Sequence, residues 1–430
     1  MQTQILARAL FCAFCSIILF TACQQSAPIK SEPINLYGGA LRSNAYEQSP
    51  FSGKYVFTDS PRKLHEQQLK SMRSAIPPLL LASGEIVLAS VQGEILYMKG
   101  DVITKKTSTG GIALMTPMVA DATDNIFAVG QNGMVYSFTF DGQQRFAVPI
   151  FQGKTILHAL TPLAQTDGVI FAVAYKQGGE MVKIDRGGAI VWRQTSPITP
   201  FGAIAATSYR DDALAILALT FDDEKASDSL IAIDNMGVRR QIWNVAGMRI
   251  TASPVVVPIN TGAGYNILVG GMTDSDGKRL AVLHCLTGTG GTQWSKTLPM
   301  LPTGIAVSAD GTIIVKGFNS SLSGAEGMVI ALDPNGKERW KFALNASSID
   351  SPPMISSNSV AIVATQAEAT GVYFINRVSG KLLNLTSLHD APIVNSLPMV
   401  DASGGMIFSG ADRLAIVRVA GNVLERLLPY

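Results

Sequence analysis

A short phrase that returns along most of the chain limits its fold more than any other feature. The phrase is a glycine followed four residues later by an aromatic side chain, and it is clearest in DPNGKERWKF (333–342). The first four residues of this stretch suit a type I turn, with Asp first, Pro second and Gly last. Trp340 and Phe342 then alternate with polar residues, which is typical of a half-buried strand.

Eight copies of this phrase give the chain a regular period. Five copies pair a glycine with an aromatic residue, with two extra residues between them in the third: Gly142 with Phe146, Gly188 with Trp192, Gly237 with Trp243, Gly290 with Trp294 and Gly336 with Trp340. Degenerate copies begin at Gly100, Gly380 and Gly421. The eight glycines are separated by 42, 46, 49, 53, 46, 44 and 41 residues, so the unit is close to 46 residues long.

Each unit also contains three apolar stretches ahead of the phrase. In the unit that ends at Trp340 they are LPTGIAVSA, GTIIVKGF and GMVIALD, with turn residues between them. Four short strands per repeat of about 40–50 residues are typical of propeller blades. We therefore predict an all-β fold, an eight-bladed β-propeller of four-stranded antiparallel blades over residues 75–430. In each blade the glycine makes the last turn, and the aromatic fills the wedge between neighbouring blades.

Residues 1–22 form a predicted signal peptide. Arg8 precedes the apolar run LFCAFCSIILF (10–20), which is shorter than the ~20 residues that a membrane-spanning helix needs. The run ends in Thr21-Ala22-Cys23, which resembles the lipobox of bacterial lipoproteins. The resemblance implies cleavage before Cys23, acylation of its thiol and, with Gln24 next, an outer-membrane destination. An ordinary secretory signal and an uncleaved anchor are the alternatives.

Between the lipid and the propeller we predict a tether, a strand and a short helix. Residues 23–50 form the lipidated N-terminus and tether, and the 27 residues after Cys23 span about 30 Å as random coil. Within 51–74, Gly53–Phe57 repeats the outer-strand phrase, and 60–74 has a helix start at Ser60-Pro61. The strand either completes the blade that contains 395–430 or packs on its outside.

Three segments resemble the PQQ-like repeat of quinoprotein-type eight-bladed propellers. They are IALDPNGKERW (330–340), VKIDRGGAIVW (182–192) and IAIDNMGVRRQIW (231–243). A lipidated single-propeller chain of this kind is similar to the scaffold lipoprotein of the outer-membrane barrel-assembly machinery. The resemblance implies a non-catalytic, protein-binding scaffold in the cell envelope that faces the periplasm. Its implied partners are envelope proteins such as that machinery, with the membrane reached through the lipid.

No catalytic, cofactor-binding or metal-binding residue is predicted. Quinoprotein dehydrogenases of this fold hold calcium and PQQ with carboxylates, an Asn and a disulfide between adjacent cysteines, whereas Cys285 stands alone after Cys23 and is expected to be buried in a strand. The four histidines, His65, His158, His284 and His389, lack metal-like spacing. A quinoprotein-like dehydrogenase and a carbohydrate- or small-ligand-binding propeller are the alternatives. The net charge of +2 argues against nucleic acid.

Two acidic segments, 221–228 and 272–280, are expected to be solvated links between the second and third strands of their blades, with calcium binding as an alternative. These links are short in the first two blades and longer in blades four to seven, including 317–327 and 364–371. Long links on one side of a repeat protein predict a partner-binding surface, although unconstrained loops would also lengthen.

Overall fold

The computed structural model describes antiparallel β-structure and no helix. The described residues are 55–58, 76–99, 102–197, 199–209, 212–220, 228–244, 247–258, 264–275, 277–319, 326–344, 347–348, 352–366, 369–387, 399–400, 406–409 and 414–419. They all lie in the compact unit Pro33–Tyr430, while a second unit, Met1–Glu32, falls outside them. Within these residues no helix is long and apolar enough to cross a membrane. The predicted signal peptide, tether and helix 60–74 lie outside the described residues.

Eight sheets account for all the described strands, and seven of them use consecutive strands. Blade 1 is β2 (Leu79–Leu80), β3 (Ile86–Ala89), β4 (Glu94–Lys99) and β5 (Val102–Ser108). Blade 2 is β6 (Val119–Ala120), β7 (Ile126–Val129), β8 (Val135–Phe138) and β9 (Gln144–Val148). Blade 3 is β10 (His158–Ala159), β11 (Leu163–Gln165), β12 (Gly168–Ala174), β13 (Gly179–Asp185) and β14 (Ile190–Ser196). Blade 4 is β15 (Thr199–Tyr209), β16 (Asp212–Thr220), β17 (Ser229–Ile233) and β18 (Arg239–Asn244).

The remaining sheets follow the same order along the chain. Blade 5 is β19 (Arg249–Ile250), β20 (Val255–Pro258), β21 (Tyr265–Ser275), β22 (Lys278–Thr287) and β23 (Thr292–Leu298). Blade 6 is β24 (Leu301–Val307), β25 (Ile313–Asn319), β26 (Glu326–Leu332) and β27 (Glu338–Leu344). Blade 7 is β28 (Ser347–Ser348), β29 (Met354–Ile355), β30 (Ser359–Gln366), β31 (Ala369–Asn376) and β32 (Leu382–Ser387). Blade 8 is β33 (Met399–Val400), β34 (Met406–Ser409) and β35 (Leu414–Val419), with β1 (Tyr55–Thr58).

In blades 3, 5 and 7 the first strand is split into two pieces that pair with the same neighbour. A proline lies in each break: Pro162 before β11, Pro254 before β20, and Pro352 with Pro353 before β29. Proline has no backbone N–H to donate to a ladder, so it is found where sheet pairing is interrupted.

Blade 8 joins the two ends of the described chain. Its strand order is β1, β35, β34, β33, so the outermost position belongs to the N-terminal strand. β1 pairs antiparallel with β35, from Tyr55 opposite Val419 to Thr58 opposite Ile416. The strand predicted at 53–57 therefore completes the last sheet rather than packing on its outside. The degenerate phrase that begins at Gly421 lies outside the described residues.

Among the described residues, six apolar clusters lie between consecutive blades, one for each neighbouring pair from blade 1 to blade 7, and a seventh is formed by blade 1 alone. Neighbouring residues of one strand serve opposite clusters. In β25, Ile313 and Val315 pack against blade 5, while Ile314 packs against blade 7. This alternation explains why inner strands such as β12 and β25 are apolar on both faces. The arrangement is an all-β propeller, and its eight sheets agree with the eight copies of the repeat.

Candidate functional site

The repeated phrase joins each blade to the next one. All five of its strongly matching glycines adopt left-handed backbone angles, with φ between 80° and 91°. The aromatic residue of one blade lies against the glycine of the following blade: Phe146 against Gly188, Trp192 against Gly237, Trp294 against Gly336 and Trp340 against Gly380. At Gly336 an added Cβ would stand 2.9 Å from Trp294 Cε3. Glycine is thus required there for its backbone angle and for the space that the neighbouring ring occupies.

Blade 4 differs because its phrase contains two extra residues. The insertion lengthens the pairing of β17 with β18, so Trp243 lies opposite Leu230. The next glycine, Gly290, then meets the backbone carbonyl of Ile242 instead of a tryptophan ring. Trp243 remains buried and packs on the ring of His284 in blade 5, with ring centroids 5.3 Å apart.

Seven blades share a register shift between the third and fourth strands at this phrase. In blade 6 it falls between Ala331, which pairs with Trp340, and Leu332, which pairs with Glu338. A bulge of this kind adds one unpaired residue and increases the local twist. The bulge therefore lies beside the residue that contacts the next blade.

Polar side chains reinforce these contacts across the same edge of the propeller. Trp294 Nε1 donates to the carbonyl of Pro334 at 3.0 Å, and Trp340 Nε1 donates to the carbonyl of Arg377 at 2.8 Å. The fully buried Lys183 lies 2.8 Å from Asp167 in its own blade and 3.2 Å from Asn235 in the next. A buried ammonium needs such partners, so Lys183 fixes the turn of blade 4 to blade 3.

The opposite edge, which we call the link face, carries the links between second and third strands and the links from blade to blade. In blades 1 to 3 it is closed by tight glycine turns at Gly93, Gly133 and Gly178, with φ of 75°, 75° and 70°. Each of these glycines lies against the link that follows its own blade; a Cβ on Gly133, for example, would meet the Phe151 carbonyl at 2.5 Å. At these three turns a side chain larger than that of glycine would collide with the following link.

A buried carboxylate anchors the link face at blade 3. Glu180, at the start of β13, is fully buried and accepts from Lys154 Nζ at 2.5 Å, from Tyr175 Oη at 2.6 Å and from Arg193. Burial alone would raise the pKa of Glu180, but the hydrogen bonds from Lys154 and Tyr175 and the charge of Arg193 outweigh it and lower the pKa. Glu180 is therefore ionised at neutral pH and holds a link from blade 2 against blade 3.

A second buried carboxylate corrects the interpretation of the acidic segment 221–228. Residues 221–227 lie outside the described part of the chain, but Asp228 is 1% exposed and is not solvated. It accepts from the backbone N–H of Ile250 at 2.7 Å and from Arg249 Nη1 at 3.2 Å. Asp228 thus fixes the first strand of blade 5 to the link of blade 4.

The second acidic segment, 272–280, is mostly strand rather than link. β21 and β22 continue pairing to Ser275 opposite Lys278, which makes a hairpin with Gly277 in its turn. At its tip Asp274 Oδ1 lies 3.8 Å from Arg279 Nε, and the two side chains are 60% and 70% exposed. The expected long link of blade 7 is likewise replaced by pairing that reaches Gln366 opposite Ala369. Continued pairing satisfies backbone groups that a loop would leave to water.

The other residues singled out by sequence lie apart from one another. Cys23, His65 and His389 are outside the described residues, while His158 and His284 belong to blades 3 and 5. Cys285 is buried and unpaired, as expected, and burial raises the pKa of its thiol to about 11. Within the described ranges no three His, Cys, Asp or Glu side chains converge as metal ligands.

The sequence contains a local signal for these buried polar contacts that the predictions above did not use. GEMVKI, residues 179–184, places Glu180 and Lys183 in a run whose other positions are Gly or apolar, and such a strand is buried on both faces. Charged residues in a strand of this kind must be paired, so they indicate polar contacts between elements.

The comparisons with known proteins agree with this architecture. Residues 279–424 match the model of a sequence family described as "Outer membrane protein assembly factor BamB". No curated protein sequence matches the chain.

Solved structures of low sequence identity share the fold. BamB from Moraxella catarrhalis is 15% identical with a TM-score of 0.54, and the match covers 85% of this chain and 99% of that one. Quinohemoprotein alcohol dehydrogenase from Comamonas testosteroni is 10% identical with a TM-score of 0.66, covering 95% and 83%. The Dos1 propeller is 11% identical with a TM-score of 0.56, covering 82% and 93%. Together, the family match and these folds support a β-propeller built from PQQ-like repeats that is similar to BamB.

Proposed function

We propose that this chain is a non-catalytic lipoprotein of the cell envelope that acts as a protein-binding scaffold in outer-membrane protein assembly. The observation that carries the proposal is the asymmetry of the link face. Glycine turns close it in blades 1 to 3, whereas blade 5 extends the hairpin β21–β22 at the same edge. Buried carboxylates and aromatic contacts fix the blades to one another, and a preorganised surface loses little freedom on binding. The family match to an assembly factor supports the choice of process.

Attachment to the membrane is proposed to run through Cys23, the first residue of the mature chain. Mass spectrometry of the mature N-terminus is expected to find an acylated Cys23. Cys23→Ser is expected to move the protein into the soluble periplasmic fraction. An unmodified Cys23, or cleavage at another residue, would remove the anchor from the proposal.

The partner surface is proposed to be the link face of blades 4 to 7. Crosslinking in membranes followed by mass spectrometry identifies the partner directly. Shortening the links at 222–227 and 320–325 is expected to weaken capture without unfolding the protein, because Asp228 and the strands are retained. A matched control replaces two exposed residues of blade 3, Lys176→Ala and Arg186→Ala. If the protein is captured alone, and its deletion leaves the levels of outer-membrane barrels unchanged, the assembly role is wrong.

A quinone-dependent dehydrogenase is the second candidate, since the Comamonas testosteroni enzyme covers 95% of this chain in fold. Fold alone does not carry function. Calorimetric titration with PQQ and calcium separates the two candidates. We expect no binding heat, and tight binding would overturn the scaffold proposal.

A further inference from the structure

The outer strands of blades 4, 5 and 6 concentrate positive charge on one part of the propeller's perimeter. These strands are β18, β23 and β27, and they contain five basic residues and the single acidic residue Glu338. The basic residues are Arg239, Arg240, Lys296, Arg339 and Lys341. Five basic residues against one acidic residue leave these three strands with an excess of four positive charges, which is larger than the net charge of +2 on the whole chain. We call these five residues the basic edge.

The basic edge is continuous because the three strands belong to blades in direct contact. Gly290, in the turn before β23, lies against Ile242 of β18. Trp294 of β23 donates to the carbonyl of Pro334, in the turn before β27. Four of the five basic side chains are exposed, and Lys296 is half-buried.

Carboxylates pair with the outer-strand cations of blades 1 and 3, whereas in blade 2 Arg145 donates to the Ser137 hydroxyl and to the carbonyl of Arg186. In blade 1, Lys105 pairs with Glu85 at 3.0 Å and Lys106 with Glu94 at 2.5 Å, and in blade 3 Arg193 pairs with Glu180. Among the described residues, none of the five cations of the basic edge forms an ion pair. Arg339 donates to the neutral hydroxyl of Thr312 at 2.8 Å.

Protection of exposed sheet edges does not explain this distribution. Charged side chains on an outer strand do prevent sheets from pairing edge to edge. However, the outer strand of blade 7, β32 with the sequence LLNLTS, carries no charge and exposes Leu382, Leu383 and Leu385.

We infer that the basic edge lies against the anionic phospholipid headgroups of the membrane to which the chain is anchored. The inference rests on the proposed lipid anchor, and charge complementarity selects the ligand. A tether of 27 residues leaves the orientation of the propeller open. Contact between cations and an anionic surface would fix that orientation and direct other parts of the propeller away from the bilayer.

Vesicle binding tests the basic edge separately from the anchor. The Cys23→Ser full-length mature chain is sedimented with vesicles of phosphatidylglycerol and phosphatidylethanolamine, and with phosphatidylcholine vesicles. We expect binding only to the anionic vesicles, and weaker binding as NaCl is raised from low to high concentration, because salt screens exposed charges. Arg239→Gln, Arg240→Gln and Lys341→Gln together are expected to lower the partition coefficient roughly 100-fold, about fivefold for each charge.

The matched control removes three exposed lysines outside the basic edge: Lys99→Gln, Lys106→Gln and Lys176→Gln. It changes the net charge equally and is expected to bind like the parent chain, with circular dichroism checking that both variants fold. The inference is wrong if the parent chain binds neither vesicle, binds both equally, or loses binding equally in the two triple variants. If the parent chain binds no vesicles, but the triple variant of the basic edge no longer crosslinks to a protein that the parent chain captures, the basic edge is a protein interface instead. Failure of the anchor appears separately, as an unacylated Cys23.

Discussion

The contact between Gly336 and Trp294 allows the strength of one blade-to-blade junction to be measured. Gly336 has φ of 80°, and alanine in this left-handed conformation costs about 1–2 kcal/mol. Its Cβ would stand 2.9 Å from Trp294 Cε3, closer than real Cβ contacts, so the ring or the turn must shift. Overpacking of this kind costs about 1–3 kcal/mol. We therefore expect Gly336→Ala to lower the free energy of unfolding by about 2–5 kcal/mol.

Gly84 provides a matched control for the backbone term. It has the same φ of 80°, but no atom lies within 4 Å of a Cβ placed there. Gly84→Ala should therefore cost only the conformational part, about 1–2 kcal/mol. The difference between the two variants isolates the contact with the neighbouring blade.

Removing the ring provides a second control. In a Trp294→Ala background the space beside Gly336 is open, so Gly336→Ala should cost about 1–2 kcal/mol, as at Gly84. Residues in contact show such non-additive effects, whereas distant residues do not. Urea unfolding followed by far-UV circular dichroism measures all the variants, with equal m-values required for comparison. Equal losses for Gly336→Ala and Gly84→Ala, or an unchanged loss in the Trp294→Ala background, would refute the reasoning.

Three further predictions concern charge and closure. Glu180→Gln leaves two cations without their buried carboxylate and should cost about 3 kcal/mol in urea unfolding, against less than about 1 for the part-exposed Glu94→Gln; equal losses would contradict this. Burial raises the pKa of Asp310, but hydrogen bonds from Ser308 and Thr312 and the charge of Arg377 outweigh burial and lower the pKa to about 2. The stability that Asp310 contributes to the fold is therefore present above pH 3.8 and lost as the pH falls toward 2. Asp310→Asn should therefore make the thermal midpoint depend less on pH over that range, and a pH dependence equal to that of the parent chain would contradict this. Deleting 51–58 leaves the outer edge of β35 unpaired and should lower the thermal midpoint and expose the last blade to protease, whereas deleting 24–50 should do neither.

The blades were predictable because the signals that define them are local. A turn that requires glycine, such as the one at Gly336, and an alternating strand after it occupy about ten residues, and their repetition supplies the topology. The N-terminal strand was predictable for the same reason, because it repeats the outer-strand phrase that the last sheet requires. The partner of each aromatic was not predictable in this way. Trp294 rests on Gly336, 42 residues further along, and only the arrangement of consecutive blades brings them together.

Charged residues were harder to place because their solvation depends on elements far apart in sequence. Asp228 ends an acidic segment that reads as a solvated link, yet its partners, Arg249 and the N–H of Ile250, belong to the next blade. Glu180 similarly depends on Lys154, which lies in the link before blade 3. A run of acidic residues looks the same in the sequence whether its last side chain faces water or accepts hydrogen bonds from a neighbouring strand. Ion pairs between blades therefore need the fold before they can be assigned.

The two extra residues in the phrase of blade 4 show which changes the repeat accepts. Side chains alternate between the faces of a strand with a period of two, so an insertion of two returns Trp243 to the face that packs on blade 5. An insertion of one would turn the ring toward blade 3 and leave the core between blades 4 and 5 without its largest side chain. The insertion still moves Trp243 along the strand, so Gly290 loses the ring and meets the backbone of Ile242. The repeat thus conserves which face the aromatic occupies more strictly than which residue it touches, because the face determines burial of the whole ring.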